Sequence, residues 1–206
     1  MLASESPRKG IDHLMDAPGS SVDLYWLPLG AGDALPIVSW NGRLYEAIEA
    51  RRQGRRPCQL FHAALEAVLH GARFVIEMAP AWSGGRIDHG AVVRGPVGMP
   101  WLGRSRFFRY DVRRWRDGVI PDVRYAIGGP QRLTADAPMV ERLLAQIDYF
   151  PTATWGRDEL HAGEMWNSNS LVSWLLVRSG IDVQSVHPPS GGRAPGWAAG
   201  VSVATR

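Results

Sequence analysis

The chain has 206 residues, of which 45% are hydrophobic and 21% charged, and a formal net charge of +3 at neutral pH. This composition is that of an ordinary globular protein and excludes wholesale disorder. The length suits one hydrophobic core. We therefore expect a disordered or loosely attached segment over residues 1–20, followed by a single domain over residues 21–206.

Several kinds of site lack the residues that they require. Cys58 is the only cysteine, so neither an internal disulfide nor a cysteine-rich zinc site can form. The six histidines are scattered without the spacing of metal ligands, and we expect neither a metal nor another cofactor. No apolar run has the length of a membrane span, and residues 1–21 lack the hydrophobic core of a signal peptide. These absences predict a cytoplasmic protein without a membrane span, and they leave its oligomeric state open.

The first half of the chain is predicted to contain a strand, a helix and a hairpin. Residues 22–29 form an apolar strand that ends in a glycine-rich turn, and residues 43–52 have helical spacing. Residues 59–69 and 73–78 form the two strands of the hairpin, joined by a His-Gly turn. Alternation along the first of these strands puts His62 on one face and its neighbours on the other.

The second half is predicted to alternate strands, loops and helices. Residues 91–93 form a short strand, and residues 106–112 form a half-exposed strand whose solvent face carries arginines. Apolar residues recur at helical spacing over residues 138–147 and again over residues 169–178, and residues 200–205 form a last strand. The order of elements predicts an α+β fold, with a mixed or antiparallel sheet packed against helices.

A polar cluster runs directly into the last predicted helix. Asn167, Ser168 and Asn169 form this junction, and Ser168 lies at the helix start. Backbone N–H groups there lack intrahelical partners and the helix dipole favours negative charge, so the junction can hold an oxyanion or an activated nucleophile. Asn and Ser are also the preferred helix caps, and capping alone explains the cluster equally well. Glu164, just upstream, belongs to the rim of a cleft or favours the helix dipole.

A nucleophilic hydroxyl needs a base and a group that orients the base. Ser168 is the candidate nucleophile, His62 the candidate base, and Glu77 on the neighbouring strand of the hairpin the candidate orienting group. The same residues have a plainer interpretation. A strand histidine is more often a half-exposed structural residue, and Glu77 can pair with a nearby arginine such as Arg73.

The order of these segments resembles the circularly permuted papain-like superfamily. A histidine opens one strand in segment 61–65 (FHAAL), a polar residue lies on the next strand in segment 74–78 (FVIEM), and segment 166–176 (WNSNSLVSWLL) opens a helix. The superfamily includes the permuted NlpC-type domains, the PPPDE peptidases and the lecithin:retinol acyltransferase-like proteins. The resemblance covers about half of the chain and implies a papain-like fold. It implies catalytic roles for Ser168, His62 and Glu77, with cleft or oxyanion support from Asn167, Asn169, Glu164 and Trp166.

The sequence departs from this superfamily at the nucleophile. Ser168 occupies the position of the nucleophilic cysteine. A helix N-terminus can pull the pKa of a thiol from ~8.5 to below neutrality, whereas the pKa of a serine hydroxyl is too high for the same field to ionise it. Ser168 therefore depends on His62 as a general base, and loss of catalysis is a serious alternative.

Three functions from different classes follow. The first is hydrolysis or transfer of an amide or ester acyl group by Ser168. The second is binding of a peptide or acyl group by a catalytically inactive papain-like module. The third is nucleic-acid binding, which we consider unlikely, by the arginine-rich stretches over residues 51–56 and 104–116.

Overall fold

The computed structural model of the chain describes residues 19–31, 46–47, 49–81, 90–120 and 122–206. The segment predicted to be disordered lies almost entirely outside these residues, as does the first part of the helix predicted over residues 43–52. Residues 46–47 and 49–52 are helical, in agreement with the second part of that prediction.

In the described part of the chain, seven strands form the sheet. They are β1 (Ser21–Pro28), β2 (Gln59–Leu69), β3 (Ala72–Pro80), β4 (Ala91–Pro96), β5 (Arg109–Arg116), β6 (Gln131–Thr134) and β7 (Gly192–Arg193). The path β4-β5-β3-β2-β1-β6 is antiparallel at every step. The two-residue strand β7 lies off this path and pairs in parallel with the start of β2.

Three α-helices follow in the second half of the described chain. They are α1 (Ala137–Gln146), α2 (Ser168–Ser179) and α3 (Trp197–Ala204). Shorter 3₁₀ helices are Pro100–Arg104, Arg106–Phe108, Val123–Tyr125 and Ile147–Tyr149. The α+β class predicted from the sequence is confirmed, and of the two predicted kinds of sheet the antiparallel one describes the main path.

The main core lies between one face of the sheet and the helices. Phe61, Ala63 and Leu65 point into this core from β2, where they meet side chains such as Leu143 of α1 and Leu171 of α2. The intervening residues of β2 face the other way, as the period of two requires. A second, smaller cluster of buried residues there consists of Leu27, Ala64, Val75 and Ile120.

The turn between β2 and β3 uses left-handed backbone at both of its residues. His70 has a φ of 49° and Gly71 a φ of 82°. Such a turn matches the right-handed twist of the flanking strands and fixes their register, with Leu69 opposite Ala72. The predicted hairpin is therefore present.

The strand predicted over residues 106–112 is displaced towards the C-terminus. Residues Arg106–Phe108 form a 3₁₀ helix, and β5 begins at Arg109. The predicted arginine-rich solvent face is also wrong, because β5 lies between β3 and β4 and its middle residues are buried. Arg113 is among them, with 5% of its surface exposed.

The last predicted strand, over residues 200–205, is wrong because these residues belong to α3. Val201 and Val203 alternate as in a strand, but so short a pattern does not distinguish a strand from a helix. The deciding contact is tertiary, since Gly200 packs directly on α2. A Cβ atom at Gly200 would overlap the Ser173 hydroxyl and the Ser170 carbonyl oxygen.

Candidate functional site

Asn167 is the N-cap of α2. Its side-chain oxygen accepts hydrogen bonds from the backbone N–H groups of Asn169 at 2.9 Å and Ser170 at 3.3 Å. The Ser170 hydroxyl accepts in return a hydrogen bond from the backbone N–H of Asn167 at 3.1 Å, which completes a capping box. Three backbone N–H groups at the helix start are thus satisfied by side chains of the polar cluster itself.

Asn169 attaches the start of α2 to β2. Its side-chain oxygen accepts a hydrogen bond from the Ala63 N–H at 2.8 Å, and its Nδ2 donates to the Phe61 carbonyl at 3.0 Å. These two backbone groups point away from β1, because the Leu60 carbonyl, one residue before Phe61, accepts from the Leu29 N–H just after β1, and successive residues of a strand point their backbone groups to opposite edges. The β2–β3 ladder begins only at Leu65, so before that residue the Asn169 amide bonds to the edge of β2 that β3 leaves unpaired.

The loop before α3 is bonded to the same junction. The Pro195 carbonyl accepts hydrogen bonds from Nδ2 of Asn167 and of Asn169, each at 2.9 Å. The Gly196 carbonyl accepts from the Ser170 hydroxyl at 2.8 Å. Gly196 has a φ of 87°, and a Cβ atom there would overlap the Asn167 amide, so only glycine fits without displacement. The polar cluster therefore joins α2, β2 and the start of α3.

Glu164 and Trp166, predicted as cleft or oxyanion support, have structural partners. The Glu164 carboxylate accepts a hydrogen bond from the Gly196 N–H at 2.8 Å. The Trp166 ring is 1% exposed, lies 4.9 Å from the Phe150 ring centroid in a stacked arrangement, and donates its indole N–H to the Pro151 carbonyl. Both residues therefore fix the segment that leads into α2. Their role in supporting a cleft or an oxyanion stays a prediction.

Ser168 is the first residue of α2 and differs from its three polar neighbours. It is 9% exposed, yet neither its hydroxyl nor its backbone N–H forms a hydrogen bond with any residue in the part of the chain that the structure describes. Both groups lie at the positive end of the helix dipole. Within the described residues, the hydroxyl and the N–H are therefore unused, in a position where negative charge is favoured.

His62 is the predicted base for the Ser168 nucleophile. It is half-buried on β2 opposite Leu27, and burial lowers the pKa of its imidazole to about 4. No carboxylate contributes to this shift, and within the described ranges the imidazole forms no hydrogen bond. At neutral pH the ring is therefore uncharged, which is the protonation state of a base.

The bonds made by Asn169 bring the neighbourhoods of Ser168 and His62 together. Asn169 directly follows Ser168, and its two partners on β2, Phe61 and Ala63, directly flank His62. Across the described residues, no hydrogen bond joins the Ser168 hydroxyl to the His62 imidazole. Alternation along β2 turns the His62 imidazole to the face opposite the one that packs on α2, so the bonds of Asn169 join the two backbones and not the two side chains.

Glu77 does not lie opposite His62. The β2–β3 ladder ends at the pair of Leu65 and Ile76, so Glu77 lies one residue beyond the last paired position of β3. Glu77 is paired instead with Arg113 on β5, with 3.0 Å between its carboxylate and the guanidinium. Both side chains are largely buried, so this ion pair is shielded from solvent. The predicted contact across the hairpin is therefore replaced by one across the β3–β5 pair.

The arginines considered for nucleic-acid binding do not share one face. Arg113 is buried beside Glu77, and Arg114 donates to the Leu144 carbonyl at 3.1 Å and contacts Asp148 at 3.4 Å. In the other stretch, Arg55 forms a two-bond ion pair with Glu46. Several of the expected cationic groups are thus occupied by contacts within the fold.

Cys58 is held by the same glutamate. Its backbone N–H and its thiol both donate to Glu46, at 3.0 and 3.2 Å. Burial and the Glu46 carboxylate raise the pKa of the thiol, which keeps it protonated and unreactive. Arg55 and the Cys58 N–H in turn hold the pKa of Glu46 at about 2.

Comparison of the chain with protein families, with curated proteins and with solved structures found no match. No helix among the described residues is long and apolar enough to cross a membrane. The same residues contain no group of three or more histidine, cysteine, aspartate or glutamate side chains arranged to hold a metal ion.

Proposed function

We propose that this protein is a papain-like hydrolase or acyltransferase acting on an amide or ester acyl group, with Ser168 as nucleophile and His62 as its base. The observation that carries the proposal is the pair of hydrogen bonds between the Asn169 side chain and the backbone on either side of His62, one accepted from Ala63 and one donated to Phe61. These bonds fix the start of α2 against the strand position of the base. A nucleophile and its base need such a fixed relation because they lie far apart in sequence.

The chemistry follows the usual course of acyl transfer. The Ser168 oxygen attacks the carbonyl carbon while His62 accepts the hydroxyl proton, and the backbone N–H of Ser168 donates to the oxyanion that develops. The imidazolium then gives its proton to the leaving amine or alcohol, which leaves an acyl-serine. Attack by water, or by an acceptor hydroxyl or amine, releases the acyl group and restores Ser168.

The low pKa of His62 gives this proposal a specific pH dependence. An imidazole whose pKa is about 4 is already neutral at pH 5.5, so the rate of attack by Ser168 is level between pH 5.5 and 8. A base with an ordinary histidine pKa would instead give a rate that rises through this range. An imidazole with so low a pKa is also a weak base, and we therefore expect slow turnover.

A second candidate is the inactive binding module, and one observation favours it. Glu77 pairs with Arg113, and no carboxylate in the described part of the chain bonds to His62 to orient its ring and stabilise the imidazolium. In this alternative the junction retains its structural hydrogen bonds and binds a peptide or acyl group without turnover.

Labelling with a fluorophosphonate probe tests the first candidate without knowledge of the substrate. We expect labelling of the wild-type protein at Ser168, located by mass spectrometry, and its loss in Ser168→Ala and His62→Gln. Ser185→Ala serves as the matched control, because Ser185 is an exposed serine outside the junction, and this variant is expected to label like the wild type. Labelling that survives Ser168→Ala contradicts the proposal.

The variant Ser168→Cys separates the two candidates if the wild-type protein does not react. A thiol at the start of α2 has its pKa lowered by the helix dipole and needs less help from His62. Acyl transfer from a thioester to Ser168→Cys, with an inert wild type, would show that the junction can align a nucleophile but does not activate serine, which favours the binding module.

A further inference from the structure

Residues 99–108, called here the aromatic loop, expose large apolar side chains. Trp101 is 67% exposed and Phe107 69%, with Met99 at 45% and Phe108 at 44%. Large apolar side chains grouped on one short segment are uncommon at the surface of a protein that binds nothing there. Trp101 is the largest of these side chains, and it lies outside the core.

The charge of the aromatic loop is uniformly positive. Arg104 and Arg106 are exposed and lie between Trp101 and the two phenylalanines, and residues 97–110 contain no aspartate or glutamate. Aromatic rings interleaved with arginines match the interface of a bilayer, where rings sit among the headgroups and cations meet anionic phosphates.

The fold presents the aromatic loop in a fixed conformation. Within the loop, Leu102 donates to the Met99 carbonyl and Phe108 donates to the Ser105 carbonyl, so part of the backbone is satisfied without help from solvent. At its base, the Gly98 N–H donates to the Trp155 carbonyl at 3.1 Å. The loop can therefore enter an interface without refolding.

The base of the aromatic loop also adjoins the junction at α2. Val97 forms an isolated β-bridge with Trp155, and Trp155 forms another with Trp166, which immediately precedes Asn167. A surface bound by the aromatic loop would thus lie on the part of the molecule that carries the start of α2.

We infer that the aromatic loop binds the headgroup region of an anionic lipid bilayer, through insertion of its apolar side chains and attraction of Arg104 and Arg106 to lipid phosphates. A single-stranded nucleic acid fits less well, because it needs a basic groove that continues beyond the stacking rings. On β5, Arg109 directly follows the loop with its Nε buried, and Arg113 and Arg114 are occupied by Glu77 and by the Leu144 carbonyl. This inference does not depend on catalysis by Ser168.

Sedimentation of the intact protein with vesicles tests the inference. We expect binding to vesicles of phosphatidylcholine with phosphatidylserine, and much weaker binding to phosphatidylcholine alone. Replacement of both rings, in Trp101→Ser with Phe107→Ser, is expected to weaken binding by about tenfold or more. Arg104→Gln with Arg106→Gln is expected to weaken it by roughly tenfold, and added salt should have less effect on this variant than on the wild type.

Matched controls lie on other parts of the surface. Tyr149→Ser removes a ring that is 74% exposed outside the loop, and Arg52→Gln removes an exposed arginine of the first basic stretch; both are expected to bind vesicles like the wild type. The inference is overturned if the wild type ignores anionic vesicles, or if the double ring variant binds them unchanged. It is also overturned if the loop variants lose only binding to an oligothymidylate, or only self-association in sedimentation velocity.

Discussion

Two segments of this protein reverse the usual distribution of polar and apolar side chains. At the start of α2, Asn167, Asn169 and Ser170 are buried polar residues, whereas the aromatic loop exposes apolar ones. The buried segment is held by hydrogen bonds to β2 and to the loop before α3. The exposed segment instead leaves Met99, Trp101, Phe107 and Phe108 at least 44% exposed. Burial of polar groups is tolerated only when they are bonded, so the first segment must stabilise the fold. Exposure of apolar groups brings no stability, so the second must be retained for a partner or tolerated.

The largest expected effect is at Asn169. Asn169→Ala leaves the Ala63 N–H and the Phe61 carbonyl without their partner in a buried place and removes one of the two donors to the Pro195 carbonyl. We expect a loss of about 4 kcal/mol in the free energy of unfolding. Chemical denaturation measures this loss. Asn169→Asp is the matched variant, because a carboxylate can accept from Ala63 but cannot donate to the two carbonyls, and it should also be strongly destabilised. A loss below about 1 kcal/mol would show that the buried hydrogen bonds of Asn169 do not stabilise the fold, which contradicts the contrast between the two segments.

The next effect is at the contact between α2 and α3. Gly200→Ala inserts a methyl group against the Ser173 hydroxyl and the Ser170 carbonyl, and a loss of about 3 kcal/mol is expected from such overpacking. Gly19→Ala is the control, since no atom lies within 4 Å of a Cβ atom there. Similar unfolding curves for both variants would mean that α3 can shift freely on α2.

A smaller effect concerns His62 and acid. The folded protein holds the pKa of His62 at about 4, below the usual 6.5, so the unfolded chain binds a proton more readily between these values. Stability from this residue is complete above pH 6.5 and is lost as the pH falls towards 4, by an amount on the order of 2 kcal/mol. His62→Gln should flatten this part of the stability curve, measured by denaturation at each pH. His187→Gln, at an exposed position, should leave it unchanged.

The smallest expected effect on stability is in the aromatic loop. Trp101→Ser changes a large but exposed side chain, and its free energy of unfolding should stay within about 0.5 kcal/mol of the wild-type value. Trp166→Ser, at a ring that is 1% exposed, is the opposite case and should unfold the protein or destabilise it severely. A large loss in Trp101→Ser would show that the aromatic loop is part of the core rather than a surface for a partner.

The local patterns of the sequence predicted the elements whose signals are strong. The β2–β3 hairpin, α1 with its buried Val140 and Leu143, and α2 ending at Gly180 all follow from alternation, helical spacing and turn residues. The same patterns failed where the environment decides. The helix α3 forms where Gly200 meets α2. The middle of β5 is buried because Tyr110 and Val112 join the main core and Arg113 pairs with Glu77. Neither set of contacts can be predicted from the neighbouring residues.

The candidate site was predictable in its residues but not in its contacts. The polar cluster before α2 is visible in the sequence, and so is the possibility that it only caps the helix. That Asn169 bonds to β2 more than a hundred positions away, and that Glu77 pairs with Arg113, depends on where β3 leaves β2. A strand pair that separates part-way has no local signal, so the partner of each side chain had to come from the structure.

The Asn169 amide has one more consequence, for how α2 can move. On β2 the amide uses one donor and one acceptor, for a carbonyl and an N–H that face the same way. A shift of α2 along β2 by one residue would bring it to groups already used by β1, and a shift by two residues would bring it to the start of the β3 ladder. The Asn169 side chain therefore selects one position of α2 along β2, and a shift of the helix along the strand would break both bonds.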